Sequence, residues 1–299
     1  MGIMIMNNKQ VEQGTNTLKI QTFSPFSESS TVLISDELNS EIPSKNNKRF
    51  VQKYLPLDRF VDSIIKRYFY LASPSEWDDP LEVKYLDFLK SEKNPTLKSE
   101  DSKKLLQMSI FCCCMTYNDS ENEEASWKNY GDSKEKIIRV SYDFDKLCSV
   151  ISKSVEEKIF IGKLIYKPRK EIICPTLIKK DSEYTTKNDL EQLYINNFCL
   201  KQNAYAFEKE LRLCKIMHDN KYKEEKGFMI ENIDVSEAIL HITLPPIIFK
   251  GLNYMELADK KFEQIKKFLV LKSICPNVPI YVSNLYNSNE EDMISLYNI

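Results

Sequence analysis

The stretch FEKELRL, Phe207 to Leu213, carries two glutamates two positions apart and then an arginine, all inside an apolar run. Read as a strand, it sends Phe207, Lys209, Leu211 and Leu213 to one face, with Glu208, Glu210, Arg212 and Cys214 on the other. The glutamates then stand about 6.6 Å apart along one wall, at a rise of about 3.3 Å per residue. Read as a helix, Glu208 and Arg212 become an i, i+4 pair worth about 0.2–0.5 kcal/mol on a wet surface. The strand reading makes the segment part of a sheet that carries a site; the helix reading makes it a solvated turn. Spacing alone admits both.

The surroundings favour a sheet protein. Upstream, RFVQKY (49–54) reads as a strand, and Pro56 opens a helix in which Leu57, Phe60, Val61, Ile64 and Ile65 keep i, i+3, i+4 spacing. YFYLAS (68–73) is a second strand, and QMSIFCCCMTY (107–117) is long, β-compatible and free of breakers. KIIRVSYDF predicts another strand, Phe144 to Val155 a helix, GKLIYK (162–167) a short strand, and Asn188 to Leu200 a helix. Downstream, AILHITLPPIIF and NVPIYVSNLY supply late strands around a helix containing Phe262, Ile265, Phe268 and Leu269. Strands and helices mix without a βαβ rhythm, so the expectation is one α+β domain over residues 46–299 with a mixed, largely antiparallel sheet and packed helices. Residues 1–45, rich in Ser, Asn, Thr and Gln, predict a flexible arm or a short edge hairpin.

Bulk properties narrow the function classes. With 42 basic against 44 acidic residues, no global field announces a nucleic acid or an anionic membrane. The eight cysteines include the consecutive Cys112, Cys113 and Cys114 and form no C-x-x-C pair, so they read as reduced apolar residues. With two histidines, His218 and His241, a zinc site of the usual ligand types is hard to assemble. Six glycines form neither G-x-G-x-x-G nor a P-loop, which argues against both standard nucleotide cradles. No G-x-S-x-G occurs, and His218 falls before the loop-like DNKYKEEK. The opening MGIMIMNNKQVEQ turns polar too soon for a signal sequence, and nothing approaches the roughly 18 apolar residues of a membrane span, so a cytoplasmic protein is expected.

Three further clusters are candidates. WKNYG brings Trp127 and Tyr130 to the end of a polar loop, as core packing or as a shelf for a flat ring. EWDDPLE places Trp77, Asp78, Asp79 and Glu82 together, the three acids serving as a turn and helix cap or as ligands for a divalent cation. In QKY, Lys53 and Tyr54 point to opposite faces of a strand, so one of them faces inward.

Taken in order, VQKYLPLDRFVDSIIKRYFYLASPSEWDDPLE, SIFCCCMTYNDSENEEASWKNYG, LIYK and AFEKELRL resemble an uncharacterised bacterial family, domain of unknown function twenty-nine seventy-one. Gln52, Asp78, Phe207 and the run Cys114-Met115-Thr116 depart from its Tyr, Asn, Tyr and S-F-S. The same motif order is similar to the ADP-ribosyltransferase fold, which implies a split sheet with NAD as substrate and no metal. On that resemblance Glu210 is the catalytic carboxylate, Glu208 orients the acceptor or Glu210, and Lys53 or Tyr54 takes the first-strand role. Thr116 supports the nicotinamide ribose, Trp127 or Tyr130 stacks on nicotinamide, and Arg212 holds a phosphate or fixes the glutamates. The implied protein is a toxin or phage-defence effector that transfers ADP-ribose from NAD to a nucleic acid or protein, or hydrolyses NAD. Its rivals are a non-enzymatic sensor or adaptor that binds a nucleotide or a phage protein, and a metal-dependent nuclease built on Asp78, Asp79, Glu82 and the late glutamates Glu208 and Glu210.

Overall fold

The computed structural model describes residues 23–25, 27, 32–42, 44–45, 48–77, 107–117, 125–127, 136–169, 191, 194–196, 198–247, 253–283 and 285. In chain order its elements are β1 (Phe23–Pro25), β2 (Val32–Ser35), α1 (Asp36–Glu41), β3 (Ser44–Lys45), β4 (Lys48–Pro56) and α2 (Leu57–Lys66). There follow β5 (Tyr68–Ala72), β6 (Ser109–Thr116), β7 (Ile137–Asp143), α3 (Phe144–Ser154), β8 (Ile159–Lys163) and β9 (Ile165–Lys167). The last are β10 (Leu200–Gln202), β11 (Glu210–Met217), β12 (Gly227–Glu231), β13 (Ile239–Leu244), α4 (Tyr254–Ile274) and β14 (Ile280–Val282). The protein is α+β, as its sequence predicts: one large sheet carries the described helices, and most of its strand pairs are antiparallel.

The main path of the sheet runs β1-β2-β8-β11-β6-β4-β7-β13-β14, with β2–β8 and β13–β14 the parallel pairs along it. Its spine is β6 against β11, in register from Glu210↔Thr116 to Met217↔Ser109. All eight positions of β11 are buried, since both of its faces are covered. Alternation then divides the core. Phe111, Cys113, Leu211 and Leu213 join the larger apolar cluster, to which α3 adds Phe144, Leu147, Cys148 and Ile151. Ile110, Cys112, Cys214 and Ile216 join a second cluster on the opposite face, with Phe160 and Phe198.

Beyond β6 the sheet forks. β4 meets β6 at Gln52↔Thr116, and β5 meets the same strand further along at Ala72↔Cys112. One arm continues from β4 to β7 and β13; the other is β5 with β12. The chain crosses between the arms through α2, which starts directly after Pro56.

Of the flexible arm or edge hairpin expected over 1–45, the described part is the hairpin, β1 with β2, and β2 also adds in parallel to β8, with Val32 fully buried. Residues 1–22 lie outside the described residues. GKLIYK is two strands rather than one, because Leu164 turns inward and β9 leaves to pair with β10 in a separate two-stranded sheet. The helix expected over 188–200 is present at the residues described there, 191, 194–196 and 198, and ends just before β10 begins at Leu200.

Candidate active site

FEKELRL is neither all strand nor helix. Residues Asn203–Glu208 form a 3-10 helix, Lys209 adopts a left-handed conformation at φ 42°, and β11 begins at Glu210. Lysine has no side-chain affinity for that conformation, which costs it roughly 1 kcal/mol or more. The kink is held by backbone bonds from Lys209 N–H to the Ala206 carbonyl and from Tyr117 N–H to the Lys209 carbonyl. The Thr116 hydroxyl also donates to the Glu208 carbonyl at 2.5 Å. Glu208 and Glu210 therefore do not alternate along one strand; they are brought together across a turn.

What joins them is Lys201, on β10, whose Nζ donates to Glu208 Oε2 at 2.8 Å and to Glu210 Oε2 at 2.7 Å. The other oxygen of Glu210, Oε1, accepts from Arg212 Nε at 2.9 Å. Arg212 Nη1 donates to the Phe198 carbonyl at 2.7 Å, and its guanidinium lies over the rings of Trp77 and Phe198 at 4.5 and 4.9 Å. Tyr166 Oη accepts the Glu210 backbone N–H at 2.9 Å and so fixes the start of the strand. Glu210 and Arg212 are each 1% exposed, a depth tolerable only because both charges are paired.

The environment drives the two carboxyls apart. Burial pushes Glu210 upward, but the Arg212 and Lys201 charges outweigh it and hold the group down to about 2. Burial raises Glu208, and Lys201 offsets it only in part. At neutral pH Glu210 is an anion, and Glu208 is the more easily protonated partner. Glu210 has a folded-state value below its ordinary 4.5. Its contribution to stability is thus complete above that pH and is lost as pH falls toward 2. Glu208 has the opposite sign, contributing at low pH and losing that contribution as pH rises through its raised value. Acid unfolding is expected to show this loss as a lower urea midpoint at about pH 3 than at about pH 7, and Glu210→Gln should flatten the difference.

A cavity of about 980 Å³ opens in the fork of the sheet. Glu208, Glu210, Arg212 and Lys201 line one side, with Trp77 and Tyr205; Lys53, Tyr54, Arg59 and Tyr70 line it from β4, α2 and β5. Both Lys53 and Tyr54 reach it, although they lie on opposite faces of β4, because the strand runs along the fork. Tyr70 closes over Gly227 of β12, where a Cβ would come within 2.1 Å of the tyrosine oxygen, so the glycine makes room for this wall.

Two expected site residues stand elsewhere. Trp127, 5% exposed, packs edge-on against Tyr54 at 4.9 Å behind the wall, and is not among the lining residues. Thr116, 3% exposed, serves the turn before Glu210 and does not line the cavity either. Tyr130, Asp78, Asp79 and Glu82 lie outside the described residues. Sequence reasoning missed Lys201, Trp77, Tyr166 and Tyr205; Trp77 alone had a signal, an aromatic inside the already noted EWDDPLE. A scan against protein-family models, a search of curated proteins and a search of solved structures each find no match.

Proposed function

We propose that the cavity in the fork binds NAD and that Glu210 promotes rupture of its nicotinamide–ribose bond, with ADP-ribose passing to water or to a macromolecular acceptor. The observation that carries this is an ionised carboxylate, Glu210, buried in the wall of a cavity of about 980 Å³, at the top of the range for small-molecule sites. Lining cations are Lys53, Arg59, Lys201 and Arg212, and lining carboxylates are Glu208 and Glu210, so four minus two leaves two positive charges, the complement of a diphosphate. Tyr54, Trp77 and Tyr205 flank the space where a flat ring would lie. On this reading the forked, largely antiparallel sheet is an ADP-ribosyltransferase-like one, and the assignment to the uncharacterised bacterial family and the role of toxin or phage-defence effector rest on the sequence motifs alone.

As the bond breaks, its electron pair leaves with nicotinamide and positive charge develops on the sugar carbon. The fixed anion of Glu210 stabilises that charge without reorganising. The acceptor oxygen attacks the same carbon and releases a proton, which Glu208, with its raised pKa, is placed to take. Both Glu210 oxygens begin engaged, so Lys201 must exchange Oε2 for the substrate, and the diphosphate supplies a competing anion for it.

That engagement also favours a second reading, a sensor that binds a nucleotide without turnover. Incubation of purified protein with NAD, with nicotinamide measured by chromatography, separates the two. Release supports the first. A melting temperature raised by NAD without release supports the second, and neither effect sinks both.

A further inference from the structure

We propose that the protein forms a homodimer through α4, the two copies of the helix packing antiparallel across a two-fold axis. This surface is independent of the cavity. α4 turns one face to its own core, where Gln264 donates to the Pro245 carbonyl at 3.0 Å and Leu271 is fully buried. Its opposite face carries an exposed apolar stripe among the described residues: Met255, Phe262 and Leu269 are 70, 57 and 61% exposed. Ala258, exposed, and half-buried Ile265 complete the series 255, 258, 262, 265, 269. This is an a/d heptad pattern over 255–269 of the helix, the spacing of a coiled-coil seam, and it ends at the next d position, Lys272, whose Nζ donates to the Pro276 and Val278 carbonyls.

The charges beside the stripe select the partner and its direction. Taking Met255 as position a, the flanking e positions hold Asp259 and Lys266, and the g position between them holds Lys261. A parallel pair would set Lys261 against Lys266 of the second copy twice, like charge against like. An antiparallel pair sets Asp259 against the other copy's Lys266 twice, with Phe262 over Ile265 and Leu269 over Ala258 in the layers between, and Lys261 beside Phe268. It also opposes the two helix dipoles. A self-complementary stripe of this kind calls for a second copy of this chain, because each acidic site finds its basic counterpart on an identical helix. In the single chain Lys266 folds back to Glu263 at 2.5 Å, with its Nζ 4.5 Å from the centre of the Phe262 ring, so it swings outward when the copies meet.

A contact of a few helical layers is smaller than a standard interface, so the dissociation constant should fall in the micromolar range. The test is sedimentation velocity of the full chain over a concentration series from low to high micromolar. A monomer–dimer equilibrium is expected, with Phe262→Glu abolishing the dimer. Asp259→Lys should weaken it tenfold or more, on the order of 1.4 kcal/mol, and adding Lys266→Asp should restore it. All three positions are exposed, so the variants keep the fold. A monomer throughout the series, which would leave the stripe to another protein or to a segment of this chain, overturns the proposal. So does a dimer indifferent to Phe262→Glu, or a charge reversal that the second exchange fails to rescue.

Discussion

Glu210→Gln is expected to slow nicotinamide release by about 10²–10³-fold, the loss typical when one electrostatic stabiliser of a transition state is removed. The amide keeps the shape of the side chain and an oxygen for Arg212 Nε, but it carries no charge to set against the sugar cation. Because that cation exists only as the bond breaks, kcat should fall far more than KM rises. The substitution also leaves Lys201 and Arg212 facing a neutral group, so the melting temperature should drop, and rates belong at a temperature where both proteins are folded. A variant that releases nicotinamide at the parent rate removes Glu210 from the chemistry.

Arg212→Met should give the largest loss of stability. The guanidinium, 1% exposed, donates to Glu210 and to the Phe198 carbonyl and lies over two aromatic rings, Trp77 and Phe198. Methionine fills most of the volume but leaves Glu210 buried with half its counter-charge and the carbonyl without that donor. Breaking a buried pair from one side costs about 3–5 kcal/mol. Urea denaturation should show it as a lower midpoint at unchanged slope. Adding Glu210→Leu removes the stranded anion and should recover much of the loss. If Arg212→Met alone shifts the midpoint by less than the equivalent of about 1 kcal/mol, the ion cluster is not what holds this region together.

Much of the sheet was legible because β4, β5, β6, β7 and β13 are long enough for apolar period and propensity to agree. Position 210 was legible too, since a charged pair inside an apolar run is unusual whatever its secondary structure. The kink at Lys209 was not. Nothing in a lysine announces a left-handed backbone, and it is the bonds from Tyr117 and Thr116 and to Ala206 that fix it. Lys201 was hidden for a similar reason: it sits on a three-residue strand, too short for any pattern, and reaches the glutamates because β10 pairs with β9. Trp127 drew notice for following a polar loop, yet it is Trp77, beyond β5, that the fold lays against Arg212. β2 was masked by its Ser- and Thr-rich neighbours, and its place is set by β8, more than a hundred residues away.

The single rung by which each arm joins β6 has a mechanical consequence. A continuous sheet resists bending through every rung of its ladder, whereas here β4 and β5 are each stitched to the spine at one residue and braced to one another by α2. Each arm is therefore held to the spine chiefly by side chains, Val51 of β4 and Phe69 and Leu71 of β5 sharing one buried cluster with Phe111 and Leu213, and the opening exists because the backbone ladder stops where that packing takes over.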